Sequence, residues 1–245
     1  MKKIKKYKLC LIVLFIFTFV FSIHLFDTEV MARKDSNEKI KVYLTFDDGP
    51  TFVTEKILNI LKEKNIKATF FIVGNKIEGK EEILKHIYQD GHSIGLHSYT
   101  HRYKRIYEDQ DSFMAEMNET SDAIIRILNI KTDIIRFPGG SNPYLNDLFL
   151  ERLHENHYKI FDWNVTVSDG LDPNKSPRAL FKEAIKAKSS LSRIILLLHC
   201  SADNINTSKA LPEIIKYYDK EPYEFSKITE ETKEYYFRYK NKKNH

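Results

Sequence analysis

The chain has 245 residues, enough to bury one full core, and its 16 Phe and 14 Tyr against only 8 Gly and 7 Pro exclude a disordered protein. The formal net charge is +5, but Lys2, Lys3, Lys5, Lys6 and Lys8 supply all of it, so residues 9–245 sum to zero. The body of the protein therefore lacks the basic excess of a nucleic-acid binder, and no nucleic-acid partner is expected.

Those lysines precede Leu9 to Phe26, a run that is apolar apart from Thr18, Ser22 and His24. Basic residues ahead of an apolar run form a secretory signal or a signal-anchor, and this one is just long enough to span a membrane as a helix. Residues 1–32 are read as an uncleaved anchor, with the positive end inside and the remaining chain outside the cell membrane. Val30-Met31-Ala32 also offers small residues at a cleavage position, in which case the domain is secreted. Cys10 lies in the apolar run and Cys200 far from it, so no disulfide framework is expected and Cys200 reads as a buried free thiol.

A polar linker, 33–38, leads into a domain over 39–230. Strand 40–46 stops at Asp47-Asp48, and Gly49 and Pro50 turn the chain. A helix follows from Thr54, with Ile57, Leu58 and Leu61 on one face. Ala68 to Val73 is a second apolar run, followed by a helix near 80–90 and a short strand from Gly91 to Leu96. The spacing of Phe113, Met117, Ile124 and Leu128 predicts a helix over 110–129. Then come strand 134–137, helix 145–157, strand 158–165, helix 177–190 and the aliphatic strand 194–198. A helix around Ile214 and Ile215 and a strand near 223–228 complete the domain. The charged tail, 231–245, is expected to be helical or frayed.

Strand–helix alternation over this length means parallel strands with helical crossovers, in a barrel or an open doubly wound sheet. Both folds collect function at the carboxyl ends of the strands. Five strand ends carry chemically able residues: Asp47-Asp48, His97 to His101, Arg136 with Pro138-Gly139-Gly140, Asp162-Trp163 leading to Asp169, and His199.

Each has an ordinary structural reading when taken alone. Asp-Gly is a common turn pair, and the histidines could be satisfied by backbone. Together they suggest chemistry. Adjacent carboxylates at the end of a buried strand persist only where a cation or strong donors compensate them. His97 and His101 share a face if the chain enters a helical turn, and two His with one Asp suit zinc or another borderline divalent ion. His199, after five aliphatic residues, is a natural general acid, and Arg136 emerging from an apolar strand needs an anion such as Asp47.

Five stretches then match one family in order: Thr45-Phe46-Asp47-Asp48-Gly49-Pro50, His97-Ser98-Tyr99-Thr100-His101, Arg136-Phe137-Pro138-Gly139, Asp162-Trp163-Asn164 with Asp169, and Leu196-Leu197-Leu198-His199. The chain resembles the polysaccharide deacetylases of the NodB-homology, carbohydrate esterase family 4 type, over roughly residues 38–230. The resemblance implies a distorted (β/α) barrel with fewer strands than a regular eight-stranded one. It implies that Asp48, His97 and His101 hold a catalytic divalent metal, usually zinc, and that Asp47 is the general base held by Arg136. Gly139 N–H would help stabilise the oxyanion, and His199 would protonate the leaving amine.

Three positions depart from the family pattern. Thr166 stands where an acid is usual, so Asp162, with Asp169 as second choice, is expected to orient and tune His199. Gly139 replaces a frequent aromatic, and Cys200-Ser201 follow the histidine where an acid is common. Trp163 and Tyr99 are candidate sugar-stacking residues, Tyr103 being a further one; plain packing is the alternative. The expected activity is metal-dependent removal of N-acetyl groups from an extracytoplasmic cell-wall polymer, foremost peptidoglycan N-acetylglucosamine or N-acetylmuramic acid. Xylan, chitin oligomers and poly-N-acetylglucosamine are alternatives, as is a non-catalytic, membrane-anchored glycan-binding protein.

Overall fold

The computed structural model describes residues 39–187 and 190–237. The anchor read over 1–32 with Cys10, the linker 33–38 and tail residues 238–245 lie outside the described residues. Among the described residues no helix is long and apolar enough to cross a membrane.

Strands and helices alternate as expected: β1 (Ile40–Gly49), α1 (Phe52–Glu63), β2 (Thr69–Ile72), α2 (Glu81–Gln89), β3 (Ser93–Leu96), α3 (Tyr103–Ile106), α4 (Gln110–Leu128), β4 (Ile134–Ile135) and α5 (Asp147–Glu155). Then follow β5 (Lys159–Ile160), β6 (Val165–Thr166), α6 (Pro177–Ala184), β7 (Arg193–His199), α7 (Ile205–Tyr218) and β8 (Tyr223–Ser226). Local chemistry sets the helix starts. Thr51 and Thr54 form a capping box ahead of α1, and Asp109, Asn146 and Ser176 cap α4, α5 and α6 through their side chains.

All the pairings are parallel, in the order β5-β4-β3-β2-β1-β7-β6. One edge of β1 lies along β7. The other is shared, with β8 beside its first half and β2 beside its second. The sheet curls into an open half-barrel, and among the described residues no ladder joins β5 to β6. Period-two alternation sorts the core. Val42, Leu44 and Phe46 of β1 and Leu196 and Leu198 of β7 pack toward the helices. Tyr43, Phe71, Ile134, Phe161, Ile195 and Ile228 form a second, smaller core inside the curl. Asp47 and His199 continue that inner column and are direct neighbours across the β1–β7 ladder.

Two expectations need correction. The strand read over 158–165 is broken, because Asn164 substitutes for a ladder: its side-chain oxygen accepts from Ile195 N at 2.8 Å and its amide donates to Arg193 O at 2.9 Å. The tail is also ordered over its first residues rather than helical. Tyr235 pairs with Phe161 in parallel, its N–H donating to Ile160 O at 3.0 Å.

Candidate active site

β1 ends in a β-bulge. Its register with β2 passes from Asp47 opposite Phe71 to Gly49 opposite Ile72, leaving Asp48 as the extra residue with φ 71°. Consecutive strand side chains normally face opposite ways, and the inserted residue in left-handed geometry turns Asp48 back. Both carboxylates therefore reach one imidazole: Asp47 Oδ2 lies 3.5 Å and Asp48 Oδ1 3.7 Å from His97 Nε2.

The helical turn expected to align His97 and His101 is absent. Residues 97–102 form a loop in which Ser98 (φ 64°) and His101 (φ 55°) are both left-handed. Ser98 Oγ accepts from His101 N at 3.1 Å and closes that loop, which brings His101 Nε2 to 3.2 Å from Asp48 Oδ1. The imidazoles converge by a specific reversal of the chain, not by helical periodicity.

The residues present fit a divalent metal ion. Asp48, His97 and His101 each offer a ligand atom, all within 4.8 Å of one another. Asp48 Oδ1 is buried without a hydrogen-bond donor, which is costly unless a cation compensates it. His97 Nδ1–H donates to Arg136 O at 2.9 Å, which fixes the ring with Nε2 facing the carboxylates. Burial, reinforced by His97 and only partly opposed by Asp48 and Asp47, lowers the His101 pKa to about 4, leaving that imidazole neutral. Burial would raise Asp48, but His97, His101, His199 and Lys76 outweigh it and hold the carboxyl below its usual value.

Asp47 is held separately. Its Oδ1 accepts from Arg136 Nη1 at 2.9 Å. Arg136, fully buried, also donates from Nη1 to Thr45 Oγ1, from Nε to Phe161 O and from Nη2 to Asp162 O, and lies 4.1 Å over the Phe71 ring.

His199 is oriented by Asp169, which corrects the preference for Asp162. Asp169 Oδ1 lies 2.8 Å from His199 Nδ1, and its Oδ2 accepts from His199 N at 2.8 Å and from Thr207 Oγ1 at 2.7 Å. Asn204 grips the Asp169 carbonyl at 2.9 Å. Because the chain leaves strand geometry after Ile160, Asp162 turns instead to Ser141 and Phe237.

A cleft of about 700 Å³ joins these groups, lined by Asp47, Asp48, His97, His101, Gly139, Trp163 and His199, with Tyr103 at its side. Tyr99 does not line it. A Cβ on Gly74 would stand 2.4 Å from the Tyr99 ring, so that ring packs on Gly74 and the sugar-stacking assignment is withdrawn for it. Gly139 has φ 78°, and a Cβ there would meet the Tyr103 hydroxyl at 2.8 Å. Cys200 is a buried free thiol, its Sγ bonding Asp47 O.

Sequence reasoning overlooked Glu116. This buried carboxylate on α4 accepts from Tyr99 N at 2.8 Å, Thr100 N at 2.7 Å and Thr100 Oγ1 at 2.9 Å, and pairs with Arg105 Nε at 2.8 Å. It clamps the loop that carries both histidines. The available signal was an acid on the α4 face shared by Phe113, Met117, Thr120 and Ile124. Glu116→Ala is expected to weaken divalent-metal affinity about 10- to 100-fold in a calorimetric titration, as loss of a ligand-supporting partner does. Affinity equal to that of the unaltered protein would show the loop holds itself.

The chain is similar to known proteins of one family. The family described as polysaccharide deacetylase matches residues 34–161. A peptidoglycan-N-acetylglucosamine deacetylase of Bacillus cereus is 31% identical, over 82% of this chain and 74% of that protein. The solved polysaccharide deacetylase Bc1974 of Bacillus cereus superposes with a TM-score of 0.71 at 30% identity, covering 80% of this chain and 94% of that one. A Streptococcus mutans CE4 esterase gives 0.72 at 28% identity, covering 81% and 90%.

Proposed function

The chain belongs to the polysaccharide deacetylase family, and we propose from that premise that it removes N-acetyl groups from peptidoglycan outside the cell membrane, with zinc as its metal. The observation that carries the reading is the meeting, in one cleft, of an Asp-His-His donor set with a separately held carboxylate and a carboxylate-oriented histidine. Two imidazoles and a carboxylate are a donor set suited to zinc with room for substrate. Bound there, the ion would supply a Lewis acid that polarises the acetamide carbonyl and makes water more acidic.

The chain's own residues do the rest. Asp47, its Oδ1 taken by Arg136, accepts the proton of the attacking water on Oδ2. Gly139 N–H, at the cleft wall, donates to the oxyanion as it develops. His199, with Nδ1 held by Asp169, gives the Nε2 proton to the amide nitrogen as the carbon–nitrogen bond breaks. Acetate and a free sugar amine are the products. Trp163 offers a ring face along the cleft for the sugar.

Placement outside the membrane is inferred from the basic residues and apolar run within 1–32. The relative named as a peptidoglycan-N-acetylglucosamine deacetylase supports the choice of polymer. The test incubates the protein with purified peptidoglycan, chitin oligomers and acetylxylan and follows acetate loss by mass spectrometry. Peptidoglycan is expected to lose acetyl groups, chelator to stop the reaction and added zinc to restore it. Acetate from acetylxylan or chitin oligomers alone, or indifference to chelator, would overturn the reading.

A further inference from the structure

The open wall between β5 and β6 is filled by the chain's own C-terminal segment. Asp162 N donates to Tyr235 O at 2.6 Å, completing with Tyr235 N–H a short parallel pairing to β5. Across the gap, Arg193 of β7 donates to Glu234 O at 2.9 Å and to Lys233 O, with its guanidinium 5.7 Å over the Tyr235 ring. Residues 233–237 are thus tied to both sides of the opening.

Asp162 connects that segment to the cleft. Fully buried, it accepts on Oδ1 from Ser141 N at 3.1 Å and on Oδ2 from Ser141 Oγ at 2.5 Å and Phe237 N at 2.7 Å. Its carbonyl accepts from Arg136 Nη2 at 3.2 Å. Phe237 packs edge-on against Trp163 with centroids 5.0 Å apart. Both rings close on Gly140 (φ 93°), where a Cβ would stand 2.8 Å from Phe237 and 3.2 Å from Trp163. The loop that carries Gly139 is therefore held on its outer side by a carboxylate and a ring whose placement depends on the C-terminal segment.

We propose that residues 233–237 are a strap that, through Asp162 and Phe237, positions the 138–141 loop and Arg136 for the reaction. Asp162 and Phe237 are positioning residues: neither lines the cleft, whereas Gly139 and Trp163 do. The metal-site residues sit at the end of β1 and on the loop after β3, whereas the strap's hydrogen bonds go to Ser141, His154, Ile160, Asp162 and Arg193. Loosening the strap misplaces the oxyanion donor and the Arg136 guanidinium that holds Asp47, whereas the Arg136 backbone, which accepts from His97, stays on its hydrogen bond to Leu96 O, so metal affinity is left alone.

The inference rests on the deacetylase reading for its kinetic measurement, but strap docking has a separate signal, because Trp163 is the single tryptophan. In the full chain, Phe237→Ala is expected to shift Trp163 emission to longer wavelength and raise its quenching by acrylamide. It is expected to lower kcat for acetate release about 10- to 100-fold, as small misplacements of reacting groups do. Zinc affinity and the unfolding midpoint stay unchanged, and Phe237→Tyr, which keeps ring and N–H, restores both signals. Asp162→Asn, which replaces the Oδ2 acceptor shared by Ser141 Oγ and Phe237 N with a donor, is expected to match Phe237→Ala. An altered emission with unchanged kcat overturns the proposal, as does a fall in kcat accompanied by equal losses of zinc affinity and stability. An inactive unaltered protein would instead overturn the deacetylase reading itself, and the positioning role with it.

Discussion

His199→Ala is expected to lower turnover about 10²- to 10⁴-fold, the range a positioned general acid contributes, with metal affinity unchanged. Burial pulls this imidazole's pKa down, but the hydrogen bond and charge of Asp169, with the charges of Asp47 and Asp48, outweigh it and raise the value to about 9. At neutral pH the ring therefore already carries the proton it must donate. A divalent cation held by the neighbouring trio would repel the imidazolium, so the metal-loaded value would lie lower. Activity falls as pH rises through it.

Asp169→Asn removes the principal raising influence and leaves burial, so the alkaline limb of the rate profile is expected to move about 1–3 pH units toward acid. The same linkage acts on stability. A folded pKa above the unfolded 6.5 means that the His199–Asp169 pair stabilises fully below pH 6.5 and loses its contribution as pH rises toward about 9. Melting curves across that window should fall for the unaltered protein and flatten for Asp169→Asn. Near-native turnover in His199→Ala, or an unmoved alkaline limb in Asp169→Asn, would refute the acid assignment.

Arg136→Met is expected to destabilise the fold by about 3–5 kcal/mol, the cost of leaving one member of a buried ion pair behind, and to abolish most activity. Arg136 has no exposed surface and serves Asp47, Thr45, Phe161 O and Asp162 O at once. Methionine fills some of the volume but leaves the Asp47 charge and two carbonyls without donors. Lysine does not rescue it, because a single ammonium cannot reach acceptors arranged for a planar fork. Adding Asp47→Asn to Arg136→Met should recover part of the lost stability and none of the activity. Urea unfolding gives the measurement; a midpoint unchanged in Arg136→Met would show that the pair contributes nothing to the fold.

Part of this was legible in the chain itself. The apolar runs ending at Asp47 and His199 marked both residues as strand ends, and the pairing of β1 with β7 then sets them opposite each other. Spacing likewise located α1, α2 and α4, since a stripe every three to four residues depends only on near neighbours. The donor types, one carboxylate and two imidazoles, already pointed to a divalent metal as the candidate ligand.

What spacing could not decide depends on partners distant in the chain. The route by which His97 and His101 converge is set by two left-handed residues and by Glu116, a helix away. Asp48 faces its neighbour's site because the ladder with β2 slips by one residue, which only the pairing of two strands defines. The choice between Asp169 and Asp162 turned on where the strand after 158 breaks, and that break is made by Asn164 bonding β7 and by Tyr235 pairing from the far end of the chain. Sequence by itself determined which chemistry collects at the strand ends, because alternation and residue type are local properties. Tertiary structure alone decided which carboxylate serves which partner, because a buried charge goes to whichever donors long-range packing brings within hydrogen-bond reach.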